Sequence, residues 1–412
     1  MTTFSSSFFR HNRRQLQKLL PQDQLIVLTA HGVLQRSADT TFPFAQEKNF
    51  WYLTGTNEPD IVLVMNGSDE YLIAPPVDAV RDVFDGALDQ NALTAISGIS
   101  TVLPSAEGWS RLKAALVNRT DVYTVMPAPV YQPHYAFYVN PARRRLAERL
   151  RRLKAGLQWH DIRPELTKLR SVKQQPEIET ITQAVKITTE TFDQLRRAAS
   201  LKQFAHEYEL EAAITAAFRQ RGAAGHAYSP IVASGVHGTT LHYIANDGPL
   251  EPGKLLVVDA GAEVGQYAAD ITRTLSAQPL TSRQAAVYSA VRDVQQYALS
   301  LLKPGVLLRE YEKQVVAQMG QALKQLRLID DTRDHDAIRR YYPHATSHFM
   351  GLDVHDVGDY RQPLASGMVL TCEPGIYIPE EGIGLRLEDD VLITNSGSQN
   401  LSGSCSYDPY IV

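Results

Sequence analysis

A chain of 412 residues that is 44% hydrophobic and 21% charged has the make-up of a soluble globular protein, and it is too long for one ordinary core. A formal net charge of −4 and a pI near 6.3 give no electrostatic footprint for nucleic acid or an anionic membrane. No apolar run approaches the roughly 18 residues of a membrane span. Two cysteines, Cys372 and Cys405, cannot form a disulfide framework and fit a reducing compartment, so a cytoplasmic protein is expected. Neither belongs to a Cys-x-x-Cys pair, so any metal must be held by oxygen and imidazole.

The N-terminus carries serines and arginines and no acidic residue before Asp23. It reads either as a short transit peptide or as an amphipathic helix over Phe8 to Leu20, and the helix is preferred. Leu25 to Thr29 is a buried-strand run, and the aromatic stretch Asn49 to Thr54 reads as another. Ile61 to Met65 and Tyr71 to Ile73 form a hairpin turning at Asn66-Gly67-Ser68-Asp69. Helices follow at Asp89 to Ile96 and Trp109 to Leu116, then a strand at Asp121 to Met126. This alternation implies an α/β domain with a partly parallel sheet. Ala142 to Leu153 holds six arginines, but leucines 146, 150 and 153 recur at helical spacing, which makes it a solvated helix with an apolar stripe.

Asp161 to Pro176 is the expected domain junction. Pro164 opens one helix, and Pro176 starts another that runs past Arg197. A helix over Glu207 to Arg221 precedes short β segments at Ile231 to Ser234 and Thr239 to Tyr243. His242 lies in the second of these between apolar neighbours, where a satisfied core histidine is the ordinary reading. Helices are expected over Thr281 to Leu302, capped by Thr281 or Ser282, and over Leu308 to Leu326.

Leu255 to Thr274 places two aspartates in what should be core. A hairpin turning at Val264-Gly265 would set Asp259 directly opposite Asp270, and like charges so placed are destabilising. Carboxylates that close require a cation or a shared proton. Three histidines, His344, His348 and His355, fall within twelve residues. Glu373 ends an apolar strand at Pro374-Gly375. Gly384 to Ile393 reads as one strand with Arg386 and Glu388 on the same face. A charged residue in such settings is rarely unpaired.

Asp259, Asp270, His348, Glu373 and Glu388 are thus four carboxylates and one imidazole, enough for two divalent ions when carboxylates bridge. This set suits Mn²⁺, Co²⁺, Zn²⁺ or Fe²⁺ rather than a closed structural zinc site. Bottom-up, it points to metal-assisted hydrolysis.

The order Asp, Asp, His, Glu, Glu resembles the pita-bread metallopeptidases, and within them the aminopeptidase P group. The segments that carry the likeness are SGVHGTTLHYIAND, VVDAGAEVGQYAADITRT, SHFMGLDVHDVG, GMVLTCEPGIYI and GIGLRLEDDVLIT, with RSADTTFPFAQEKNFWYLTGTNEPDIVLV in the first half. The resemblance implies an α+β chain with a smaller α/β N-terminal domain over 1–165, for substrate access and oligomerisation. A pita-bread catalytic domain would cover 172–412, with no further domain after Tyr410.

Residue by residue, the resemblance implies Asp259 as a chelating ligand, Asp270 and Glu388 as bridges, and His348 and Glu373 completing the second ion, with Mn²⁺ the first expectation. Glu373 would also be the general base for the bridging water. His242 and His355 would touch substrate and stabilise the tetrahedral intermediate, and His344 would line the pocket. Arg386 would tune the metal site from behind, and Tyr228 and Tyr377 would stand near its centre. Asp39 matches a position that reaches a neighbouring subunit in tetrameric relatives, so a homo-oligomer is expected, a tetramer ahead of a dimer. The segment Arg81-Asp82-Val83-Phe84-Asp85-Gly86 departs from close relatives by lacking a tryptophan, with Phe84 the nearest aromatic.

The implied reaction removes the N-terminal residue from peptides whose second residue is proline. The alternatives are a prolidase limited to Xaa-Pro dipeptides and an inactive peptide-binding protein on the same scaffold.

Overall fold

The computed structural model describes residues 4–76, 79–196 and 203–410. The chain forms two compact units that divide between Leu169 and Arg170, and helices and strands are mixed in both.

In the N-terminal unit, Leu25–Thr29 lies within a six-stranded mixed sheet. It pairs antiparallel with Val62–Asn66 and parallel with Asp121–Thr124. The helices Ser105–Leu116 and Ala142–Leu153 add Leu112, Leu116, Leu146 and Leu150 to the core beneath the sheet. The arginines of the second helix have local partners: Arg149 stacks 3.8 Å above Trp109, and Arg145 pairs with Asp60. The aromatic stretch expected as a strand is instead the helix Lys48–Thr54. The Glu47 side chain caps it by accepting from the Phe50 N–H, and Gly55 ends it at φ 71°. A short run apolar on every side does not distinguish a buried helix from a strand.

In the C-terminal unit, the helix beginning at Gln175 is described as far as Arg196, and its expected continuation past Arg197 lies outside the described residues. The helices Ser282–Leu301 and Leu308–Gln325 pack on each other and on strands through Val287, Val291, Val294, Tyr311, Val315 and Met319. Thr281 is the cap of the first, closing a capping box with Gln284. The short helix His335–Tyr341, capped by Asp334, is not evident in the sequence pattern.

Three expectations about strands of the C-terminal unit are corrected. Thr239 to Tyr243 is not a strand: a 3₁₀ turn spans Gly235–Thr239 and irregular chain follows. The turn of the central hairpin is centred on Gly265 and Gln266, both at positive φ, so Asp259 opposes Thr272 rather than Asp270. A shift of two residues preserves side-chain parity, and Asp270 keeps the face of Asp259 as a diagonal neighbour. Finally, Gly384 to Ile393 is two strands, Ile383–Arg386 and Asp389–Ile393, which pair with Gly375–Ile378 and Val369–Cys372 respectively. Leu387 and Glu388 form the crossover between them.

Candidate metal centre

Asp259 is the penultimate residue of the buried strand Leu256–Ala260, and Asp270 immediately precedes Ile271–Leu275. Glu373 falls in the break between Val369–Cys372 and Gly375–Ile378, and Glu388 in the break noted above. Each carboxylate therefore sits where a strand stops or changes partner. Its backbone is held rigidly while its side chain is free to face a common point.

There the candidates meet. Ligand atoms of Asp270, His348 and Glu388 lie within 4.8 Å of one another. His348 Nε2 is 3.5 Å from Asp270 Oδ2 and 3.4 Å from Glu373 Oε1. The Tyr228 hydroxyl lies 2.5 Å from Asp259 Oδ1 and 2.6 Å from Asp270 Oδ1. One phenolic proton can be donated to only one of them at a time. Arg386 donates to Asp259 Oδ2, to Thr272 Oγ1 at 3.0 Å and to the Tyr377 hydroxyl at 3.0 Å. Thr272 in turn donates to Glu388 at 2.6 Å, and Thr371 to Glu373 at 3.2 Å.

The electrostatics are unbalanced. Burial, followed by the charges of Asp270, Glu373 and Asp259, pushes the Glu388 carboxyl far above its ordinary range. Burial also lifts Glu373 to about 7, with Asp270 adding to the shift and His348 opposing it. Asp259 rises for the same first reason even with Arg386 beside it. Burial alone would lower His348, but Asp270 and Glu373 hold its imidazolium to about 9. The site carries more buried negative charge than Arg386 and His348 can neutralise. A dication supplies what is missing, and oxygen with imidazole is the donor set that hard and borderline divalent ions accept. The residues present fit such ions.

The remaining candidates distribute around this centre. His344 Nε2 is 2.9 Å from the Tyr377 hydroxyl, and burial with Arg386 nearby lowers it to about 3, which keeps the ring neutral. His355 is exposed, with its ring 4.3 Å from that of His348, centroid to centroid. His242 is exposed rather than buried in a core, and its charge bears on both His344 and His355. Its loop is anchored by Glu207, a buried carboxylate that accepts from the Ser234 and Gly248 N–H groups and from Tyr243. Asp39 lies on an exposed turn of the N-terminal unit, and Phe84 is exposed on the helix Ala79–Asp85 of the same unit.

Sequence reasoning missed Thr272, Thr371 and Asp390. Asp390 is fully buried, accepts from the Asp270 N–H at 3.0 Å through Oδ2, and has no hydrogen bond on Oδ1. The signal for Thr272 was available, since it stands two residues beyond Asp270 and shares its face.

Residues 179–395 match the model of metallopeptidase family M24, and residues 9–123 match the aminopeptidase P N-terminal domain. The chain is 34% identical to the Xaa-Pro aminopeptidase of Escherichia coli K12, over 98% of this chain and 96% of that protein. A putative aminopeptidase P from Bacillus anthracis superposes with a TM-score of 0.90 at 31% identity, covering 98% of this chain and 97% of that one. Aminopeptidase P from Escherichia coli with the inhibitor Pro-Leu gives 0.88 at 31% identity, covering 99% and 97%. With both domain models matched, the chain belongs to metallopeptidase family M24, in the branch that carries an aminopeptidase P N-terminal domain.

Proposed function

We propose that this chain is a metal-dependent aminopeptidase that releases the first residue of peptides with proline in second position. The observation that carries the reading is the buried surplus of carboxylate around His348, in a chain of this family. Proline makes the scissile bond a tertiary amide without an N–H, so recognition must rest on the ring and on the free N-terminus.

Asp259, Asp270, His348, Glu373 and Glu388 would hold two divalent ions, with Asp270 and Glu388 shared between them. Mn²⁺ is the first choice, and Zn²⁺, Co²⁺ or Fe²⁺ suit the same donors. Such ions supply Lewis acidity, which polarises a carbonyl and makes a water acidic near neutral pH. The protein's own groups supply the rest. Glu373, lifted to about 7 by burial, takes the proton from the attacking water and delivers it to the leaving nitrogen. His242 and His355 face substrate from two loops and donate to the oxygen that gains charge. His344 and Tyr377 line the pocket as a neutral hydrogen-bonded pair, and Arg386 with Tyr228 fixes the orientation of Asp259 and Asp270.

The same reading places the protein in the cytoplasm as a homo-oligomer, a tetramer ahead of a dimer. Support for the location is that Cys372 and Cys405 are both free and buried. Support for assembly comes from exposed Tyr131, Tyr135, Phe137 and Tyr138, together with Asp39 on its exposed turn. The substrate assignment is tested by comparing a Xaa-Pro-Xaa tripeptide with the corresponding Xaa-Pro dipeptide and a Xaa-Ala-Xaa control. Release of the first residue from the proline tripeptide alone is expected, and preference for the dipeptide would contradict it.

A further inference from the structure

The His355 side chain has little of its own to hold it in place. Among the described residues its ring has no hydrogen-bond partner, and its one ring contact is the edge-on approach to His348. Its position is therefore set by its main chain. The next residue, Asp356, is the most heavily constrained carboxylate on that loop. Its Oδ1 accepts from the Arg170 guanidinium at 2.5 Å and its Oδ2 from Lys173 Nζ at 2.9 Å, and all three side chains are 1–2% exposed. Arg170 also reaches Asp353 at 2.7 Å. The Asp356 N–H donates to the Phe349 carbonyl at 2.8 Å, and the Lys173 N–H to the Gly367 carbonyl at 2.8 Å. The packing is tight at the centre: a Cβ on Gly351 would meet Asp356 Oδ2 at 2.3 Å and Lys173 Cε at 2.8 Å.

We infer that Arg170, Lys173 and Asp356 form a buried ion triad that positions His355 for the reaction. The inference rests on the placement of His355 in the substrate site under the proposed function. Two buried cations on one buried carboxylate are a poor source of net stability, because desolvation consumes most of the attraction. What such a cluster does provide is direction. A bidentate pull from two fixed donors leaves the carboxylate one orientation, and with it the backbone of the residue before. The ion pairs of these three residues run to one another and to Asp353, so they are positioning residues rather than catalytic ones. Arg170 and Lys173 precede the long helix from Gln175, so the segment that opens the C-terminal unit grips a loop about 180 residues further on, as the sequence separations of 183 and 186 record.

The test is a double-mutant cycle on the metal-loaded, full-length enzyme with a Xaa-Pro-Xaa tripeptide, using Asp356→Asn, His355→Ala and the pair. Asp356→Asn is expected to lower kcat about 10- to 100-fold with KM and bound metal per chain little changed, since a misplacement of about 1 Å costs on that scale. The double variant should be no slower than His355→Ala alone. Losses that multiply would overturn the inference, as would full activity in Asp356→Asn. Normal activity in His355→Ala would overturn it differently, by removing His355 from the reaction while leaving the metal centre intact. Should Asp356→Asn fail to fold, Lys173→Met removes one arm of the clamp: it should lower kcat in the His355 background only, with Lys173→Arg restoring it. No rescue, or an equal loss without His355, would count against positioning.

Discussion

Two kinds of buried carboxylate occupy the C-terminal unit, and their surroundings differ in sign. Asp356 faces Lys173 and Arg170, which overcome the burial that would raise it and hold it below its ordinary value. Asp389 is likewise held down against burial by Arg273, with Tyr407 and Ser402 adding hydrogen bonds. Asp259, Glu373, Glu388 and Asp390 are pushed up, by burial first, with the charge of Asp270 adding to each. Matched carboxylates brace the fold. Unmatched ones mark the place where a cation belongs. In the N-terminal unit the buried carboxylate Glu47 is of the matched kind, 2.7 Å from the Arg143 guanidinium.

The largest effect should follow from removing an unmatched acid that also moves a proton. Glu373→Ala should lower kcat on a Xaa-Pro-Xaa tripeptide by about 10²–10⁴-fold, with circular dichroism and oligomeric state unchanged. Breaking the Asp389 pair should act on stability instead. Arg273→Met strands Asp389 and takes a donor from the Glu388 carbonyl. It should cost about 3–5 kcal/mol in denaturant unfolding, with no recovery when metal is added.

A smaller effect separates the two classes by pH. In chelator, Glu373 is raised from 4.5 to about 7 and His348 from 6.5 to about 9. For a group whose folded pKa is raised, the stabilising contribution is complete below the unfolded value and is lost as pH climbs through the folded one. The metal-free protein should therefore lose stability from pH 4.5 up to about 9, as thermal melting would record, and saturating Mn²⁺ should flatten that slope. Glu388→Gln, which replaces a carboxyl whose ionised form the metal-free site disfavours, should raise the metal-free melting point by the equivalent of about 1 kcal/mol while weakening stabilisation by metal. A fall in the metal-free melting point would show that Glu388 is not strained.

Much of the site was legible because its chemistry is local. Asp259, Asp270, Glu373 and Glu388 are charges set against apolar strand residues, and Arg386, on the face of Glu388, is one cation for four acids. Even the mistaken register left Asp259 and Asp270 facing the same way, since strand periodicity survives a shift of two. His242 was harder: flanking Leu241 and Tyr243 suggest a core strand, and only the buried Glu207 anchor explains why the loop turns that residue outward. Asn49 to Thr54 was ambiguous in principle, because burial on all sides erases periodicity. The Arg170–Lys173–Asp356 triad was out of reach for a different reason. Each member looks ordinary in its own segment, and tertiary folding alone brings them together.

The central claim is that the unmatched acids hold divalent ions that the reaction requires. Its most direct test titrates chelator-treated protein with Mn²⁺ while following both bound metal and release of the first residue from a Xaa-Pro-Xaa tripeptide. The account predicts activity that is absent without metal and rises to saturation as two ions bind per chain, with Glu388→Gln binding fewer. Full activity in chelator, or metal that binds equally well to Glu388→Gln, would contradict it.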